Sequence, residues 1–357
     1  MSFVKAPITY AYLNVKIQAK KSRILQISDF DRLIKASNIE EVARILSNTA
    51  YGDSSLSQLL IDQKNFSNGK EIDRVMTNDF QNLFDGLSKH LPSVGRKFGK
   101  VFIKKFFYDS LKVILRAKHR NLPRSSYETY VNSPIPQDME LLLRLMEFNN
   151  IGQIIDAVPN SKIHKLLTDA VPLYEQMQST LPLEQAINIG FYSDLWREAS
   201  LLRDQARVAL RLIGTEIDLI NIETILRAKI LGMDKESIAL WLIPIKLKLN
   251  NFDSFLGLKP LDIINMLYNT GYRDFAEGAQ SIVEGTEEPA VDMFEGLIKK
   301  FLVHESFKAF RGGSFHLGIF IAFFFLKRVE FENVRAIILG KLAGLDQDTI
   351  KDLILVY

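Results

Sequence analysis

Apolar residues recur along this chain at helical intervals, and one such pattern is written three times. In LKVILRAKHRNL the apolar positions are Leu111, Ile114 and Leu115; in NIETILRAKILGM they are Ile222, Ile225 and Leu226; in NVRAIILGKLAGL they are Val334, Ile337 and Ile338. Each set lines one side of a helix. A lysine holds the same place in every copy, Lys118, Lys229 and Lys341, and the numbering offsets are nearly constant, 229 − 118 = 111 and 341 − 229 = 112. Gly232 and Gly344 follow the lysine by three positions, where a left-handed glycine ends a helix, and Asp234 and Asp346 then stand as N-caps. The repeated unit therefore predicts helix, tight turn, helix. The first copy departs from it with Asn121 and Pro123, both still compatible with a stop.

A second phrase is shared by the first and third copies. ARILSNTAYGD ends at Asp53 and INMLYNTGYRD at Asp274, so Leu46, Asn48, Thr49, Tyr51 and Asp53 match Leu267, Asn269, Thr270, Tyr272 and Asp274. The middle copy offers only the degenerate IIDAVPNSKI. Between the phrases run long Phe-, Leu- and Ile-rich stretches with few Pro or Gly and no strand-like alternation bounded by hairpin dipeptides. The fold class is all-α, as three similar helical-bundle units with boundaries near 128 and 245: 1–128, 129–245 and 246–357. Further breaks are expected at SNGKE, LPRSS, NSPIP, GLKP, EGTEEP and RGGS. A period of this length exceeds that of the solenoid repeats, which favours compact bundles over an extended superhelix.

At 47% hydrophobic residues each unit can bury a core, and the net charge of +3 conceals a local asymmetry. Residues 96–124 hold ten Lys or Arg against the single acid Asp109, whereas Glu284, Glu287, Glu288, Asp292 and Glu295 gather at 284–295. The chain has no cysteine, which excludes disulfides, thiolate metal sites and thiol catalysis and fits a reducing, cytoplasmic setting. MSFVKAPITYAYLN lacks the apolar core of a signal peptide, and Leu317–Leu326, about 15 Å as a helix, is too short to span a bilayer. No membrane crossing is expected.

Catalytic and cofactor chemistry find little footing. His90, His119, His164, His304 and His316 lack the spacing of a helical zinc site, so they read as surface or core residues and no metal is expected. Gly95-Arg96-Lys97-Phe98-Gly99-Lys100 has one residue too few between its glycines for a phosphate loop, and Val101 stands where a magnesium-binding hydroxyl is needed. It reads as a basic helix end, and no nucleotide or other cofactor is expected. The Asn-Thr-x-Tyr-x-Asp phrase, with Tyr51, Asp53, Tyr272 and Asp274, could supply an enzyme site but reads as a helix-ending turn whose Asn and Asp serve local backbone groups.

The basic segment 96–124 interleaves Phe98, Phe102, Phe106, Phe107 and Tyr108 with its cations, the pattern of a helical nucleic-acid-binding scaffold. Because 98, 102 and 106 share a helical face, a core helix with a solvated basic face is the competing reading, its charge suited to an acidic protein or anionic headgroups. Arg116 with Lys118, Arg227 with Lys229, and Lys341 have two readings. Their stems cover the helix while the charges reach water or a carboxylate such as Asp109 or Glu223, or three similar helices ring an axis and offer these groups to a partner.

AYLNVKIQAKKSRIL, RILSNTAYGD, INIETILRAKILG and HLGIFIAFFFLKRVEFENVRAIILGK, in that order over essentially the whole chain, resemble the C-subunit family of archaeal and bacterial A/V-type ATP synthases, whose eukaryotic relative is the d component of the vacuolar ATPase. Gly318 and Ile319 followed by Glu330, Asn333, Arg335 and Lys341 carry the most specific part. Ser110 stands where the later copies have Asn221 and Asn333, and Leu339 where the earlier ones have Arg116 and Arg227, which puts equal contacts by the three copies in doubt. The resemblance implies a pseudo-three-fold funnel without an active site, a central-stalk rotor part seated on the membrane proteolipid ring that receives the shaft subunits in its cavity. It also implies a peripheral position on the cytoplasmic face and neither direct nucleotide nor nucleic acid as partner.

Overall fold

The computed structural model describes residues 5–61, 69–159, 162–230, 232–249, 252–284, 292–313 and 315–355. Glu287, Glu288 and most of the expected EGTEEP break lie outside the described residues. Every regular element among those described is helical, with no strand.

The chain divides into two compact units, Met1–Pro159 with Phe323–Tyr357, and Asn160–Ala322. The first holds α1 (Lys5–Lys21), α2 (Ile27–Lys35), α3 (Ile39–Ser47), α4 (Ser55–Ile61), α5 (Gly69–Ser88), α6 (Arg96–His119), α7 (Pro136–Glu147) and α8 (Ile151–Ala157). The second holds α9 (Lys162–Met177), α10 (Leu181–Ser200), α11 (Arg207–Ile230), α12 (Lys235–Leu240), α13 (Asp253–Leu256), α14 (Pro260–Leu267), α15 (Arg273–Val283) and α16 (Asp292–Arg311). α17 (Gly318–Leu342) belongs to the first unit from Phe323 onward, and α18 (Gln347–Leu353) follows it there.

The repeat of the sequence is a repeat of helices. α6, α11 and α17 start at 96, 207 and 318, two equal steps (207 − 96 and 318 − 207), and run for 24, 24 and 25 residues. All nine apolar positions read from the repeated phrase are buried. Asn121, Gly232 and Gly344 have φ of 53°, 69° and 71°, so each helix ends on a left-handed residue. There the next amide reaches back over the turn: Leu122 N–H to Ala117 C=O at 2.9 Å, Met233 to Ala228 at 3.0 Å, Leu345 to Gly340 at 2.9 Å. Asp234 and Asp346 then cap α12 and α18 by accepting from Ser237 N–H and Thr349 N–H. Pro123 offers no such oxygen, and two short 3-10 turns stand in the first copy where α12 and α18 stand in the others.

In the first unit a largely aliphatic cluster of α2, α3, α4, α5, α17 and α18 is joined by an aromatic one. Phe98, Phe102 and Phe106 on α6 are buried, and Phe324 of α17 meets Phe102 edge-on at 4.9 Å and Phe84 of α5 at 5.1 Å. Burying one such ring contributes about 1.5–3 kcal/mol. In the second unit α10 lies so close to α9 that a Cβ at Gly190 would stand 2.3 Å from Ile163 Cγ1, and Tyr272, Phe275, Phe294 and Phe301 pack between α15 and α16. Among the described residues, no helix is long and apolar enough to cross a membrane.

Candidate functional site

The recurring lysines are engaged by main chain. Lys118 Nζ donates to Met146 O at 2.9 Å, Lys229 Nζ to Leu256 O at 2.7 Å, and Lys341 Nζ to Ile34 O at 2.5 Å. The three acceptors lie in the last turns of α7, α13 and α2, where carbonyls lack intrahelical partners and the helix dipole favours a cation. They are themselves equivalent, since 146 − 34 = 112 and 256 − 146 = 110. One contact is thus made three times: the lysine of the first copy caps a helix of the second, that of the second a helix of the third, and that of the third returns to the first. Loss of hydration lowers the pKa of Lys118 and of Lys229 below the ordinary amine value.

A second contact recurs with the same regularity. Asn221 Nδ2 donates to Ile243 O at 3.0 Å while its Oδ1 accepts Ile243 N–H at 2.9 Å, and Asn333 does the same to Leu355 at 2.8 Å in both directions. Ser110 performs the task with one atom, its Oγ donating to Asn132 O at 2.7 Å and accepting Asn132 N–H at 2.9 Å. All three partners lie 22 residues onward. The serine is therefore a functional equivalent of the asparagines, because a hydroxyl is both donor and acceptor.

Buried carboxylates tie neighbouring copies at two of the three places. Asp218 accepts the N–H groups of Leu247, Lys248 and Leu249 at 3.2, 2.8 and 3.3 Å and the Tyr272 hydroxyl at 2.7 Å. Desolvation raises its pKa, and these donors oppose the rise. Glu330, the counterpart of Asp218 by the offset of the repeat (330 − 218 = 112), accepts Leu25 N–H at 3.1 Å, and Leu25 is in turn the counterpart of Leu247 two copies away (247 − 25 = 222). The equivalent position in the first copy is Phe107, part of the apolar core.

Of the arginines singled out in the sequence, Arg227 pairs with Glu223 at 2.8 Å and Arg116 lies exposed on α6. The pairing of Arg227 agrees with the stem-and-carboxylate reading. The lysines do what neither reading foresaw, and the signal that could have revealed it was the parallel spacing of the helix ends near 34, 146 and 256. Within the basic segment, Lys105 and Lys112 flank Asp109 at 3.3 and 3.6 Å and Lys104 reaches buried Asp138 at 2.5 Å, so part of that charge is balanced internally. Burial of Phe98, Phe102 and Phe106 leaves no ring of that face for bases to stack on.

The Asn-Thr-x-Tyr-x-Asp phrase ends helices by way of its threonine. Thr49 Oγ1 donates to Leu46 O and accepts Tyr51 N–H, and Thr270 repeats both bonds to Leu267 and Tyr272 at the same 2.7 and 3.2 Å. Asn48 adds a bond to Arg44 O at 2.8 Å. Burial and the Asp218 charge push the Tyr272 phenol well above its ordinary pKa.

The ATP synthase (C/AC39) subunit family matches residues 13–353. The C subunit of the A-type ATP synthase of Methanocaldococcus jannaschii is 25% identical over 97% of this chain and 86% of its own length. That of Haloferax volcanii is 21% identical over 95% of both chains, and that of Methanothermobacter thermautotrophicus 21% identical over 93% of this chain and 84% of its own. With the match running through all three copies of the lysine contact, the chain belongs to the ATP synthase (C/AC39) subunit family.

Proposed function

We propose that this chain is the non-catalytic rotor adaptor of an A-type ATP synthase, seating the central shaft on the membrane proteolipid ring and passing torque between them. The observation that carries this reading is the cyclic order of the lysine contacts, first copy to second, second to third, third to first. Contacts in that order support three units, near 1–128, 129–245 and 246–357, closed about one axis as a funnel. A torque-bearing part has to be stiff, and densely packed interiors transmit strain. On this reading the chain works at the cytoplasmic face of the membrane as a peripheral part, with no nucleotide of its own. Lys118, Lys229 and Lys341 then serve the partner indirectly by holding the wall, while Arg116 and Arg227 face the shaft.

The test uses the full-length chain with purified shaft subunits and detergent-solubilised ring. The wild type is expected to bridge the two in co-sedimentation, and failure to bind either body overturns the proposal. Reversing Arg116 and Arg227 to Glu should weaken shaft binding at least tenfold at low salt with helicity unchanged, the difference shrinking as salt rises. Unchanged affinity removes both arginines from the interface.

A further inference from the structure

The first unit contains a cavity of about 170 Å³ that none of the repeated contacts uses. Its apolar walls are Leu56, Met76, Phe80, Leu83, Phe323 and Phe331, and its charged lining is Lys20, Arg23 and Lys327 together with Asp79. Lys20 and Arg23 are exposed, so the pocket opens to solvent at its cationic end. Lys327 is held in place by buried Glu330 and sits over the Tyr51 ring at 4.3 Å. Asp79 is occupied with Leu56 N–H at 3.2 Å. We propose that this cavity binds a small organic anion, an acidic head on a ring-sized apolar body.

Shape and charge each narrow the ligand. A cavity of about 150 Å³ lined by aliphatic and aromatic groups accommodates a benzene ring, so this one has room for a single ring. An apolar interior with cations at one mouth selects a molecule with the same polarity, which inorganic phosphate lacks. Three cations, Lys20, Arg23 and Lys327, line it against the one carboxylate of Asp79, and burial together with the nearby charges of Lys327, Arg23 and Lys16 pushes the Lys20 amine below its ordinary pKa. A bound anion relieves that repulsion.

Internal comparison separates this pocket from the repeat itself. The offsets that equate Glu330 with Asp218 and Leu25 with Leu247 equate Lys327 with Thr215 and Arg23 with Ile245. Lys327 and Arg23 thus stand where the second unit has neutral residues, while the internal carboxylate is kept in both units as Asp218 and Glu330.

Calorimetric titration of the full-length chain with benzoate and phenyl phosphate tests this, with inorganic phosphate and benzylamine as controls. Saturable one-to-one binding of at least one ring-bearing anion is expected, with benzoate against phenyl phosphate identifying the preferred head. Arg23→Glu, a change at an exposed position, and Leu83→Trp, which fills the half-buried wall, should each weaken it at least tenfold. No saturation by either anion up to about 10 mM overturns the proposal. So does unchanged affinity in either variant, or controls that bind as tightly as the ring-bearing anions.

Discussion

Lys341 donates a hydrogen bond to the carbonyl oxygen of Ile34, 307 residues earlier in the chain. The two ends of the sequence are joined by the same contact that joins Lys118 to Met146 over 28 residues and Lys229 to Leu256 over 27. Lys341→Met keeps the apolar stem and deletes the charged donor, leaving the last turn of α2 with an uncapped carbonyl. The expected loss is about 1–3 kcal/mol of unfolding free energy, read from denaturant titration. Lys118→Met and Lys229→Met should cost similar amounts, since geometry and environment match. A loss confined to one of the three would separate their roles.

The backbone clasps made by Ser110, Asn221 and Asn333 predict an order of severity. Asn221 is fully buried and serves Ile243, itself fully buried, so Asn221→Ala strands a donor and an acceptor away from water. At about 1–3 kcal/mol for each stranded group, the variant should lose about 2 kcal/mol or more. Leu355 is only half-buried, so water can re-enter there and Asn333→Ala should cost less. Ser110→Asn is the converse test: an amide at that position is larger than the hydroxyl beside Asn132 and should destabilise, although asparagine is the residue of the other two copies. Comparative thermal melts of the three variants check the ranking.

Much of this architecture was legible because its signals are local. The phrases around Lys118, Lys229 and Lys341, the left-handed stops at Gly232 and Gly344, and the caps Asp234 and Asp346 are each written within a dozen residues and reappear as structure. The burial of Phe98, Phe102 and Phe106 likewise follows from their spacing on one helix. What could not be read was the far end of each long contact. Nothing near Lys341 names Ile34, and nothing near Glu330 names Leu25, because those pairings depend on how successive copies meet. A lysine reaching a carbonyl leaves no complementary side chain to find, which is why the sequence points to carboxylates as its partners instead.

The stops also differ in a way that can be measured. Gly344 and Gly232 have open space where a Cβ would go, so Gly344→Ala is opposed only by its positive φ and should cost about 1–2 kcal/mol. Asn121 already carries a side chain in that conformation, and Asn121→Gly should stabilise by several tenths of a kcal/mol up to about 1 kcal/mol. Equal and small effects at both positions would mean that the turn relaxes out of the left-handed region. Denaturant midpoints at constant m-value decide between the two outcomes.

Asp234 and Asp346 predict a pH response. The backbone amide of Ser237 donates to one and that of Thr349 to the other, and these bonds hold both carboxyls below the usual aspartate pKa. A carboxyl depressed in the folded state contributes stability that is complete above its unfolded pKa, near 3.9, and is lost as pH falls through the lower folded value. Neutral and mildly acidic solutions should therefore leave the caps intact, and their contribution should vanish only below about pH 4. Asp234→Ala and Asp346→Ala should lower stability at pH 7 and shrink the gap to wild type as the pH drops toward 3. An Asn at the same position keeps an accepting oxygen without a titrating proton, so Asp346→Asn should recover much of the pH 7 stability while remaining flat through that range. Unfolding curves collected from pH 3 to pH 7 for the wild type and the Ala and Asn variants test both parts, and a gap that stays constant across the range would show that the caps do not titrate with folding.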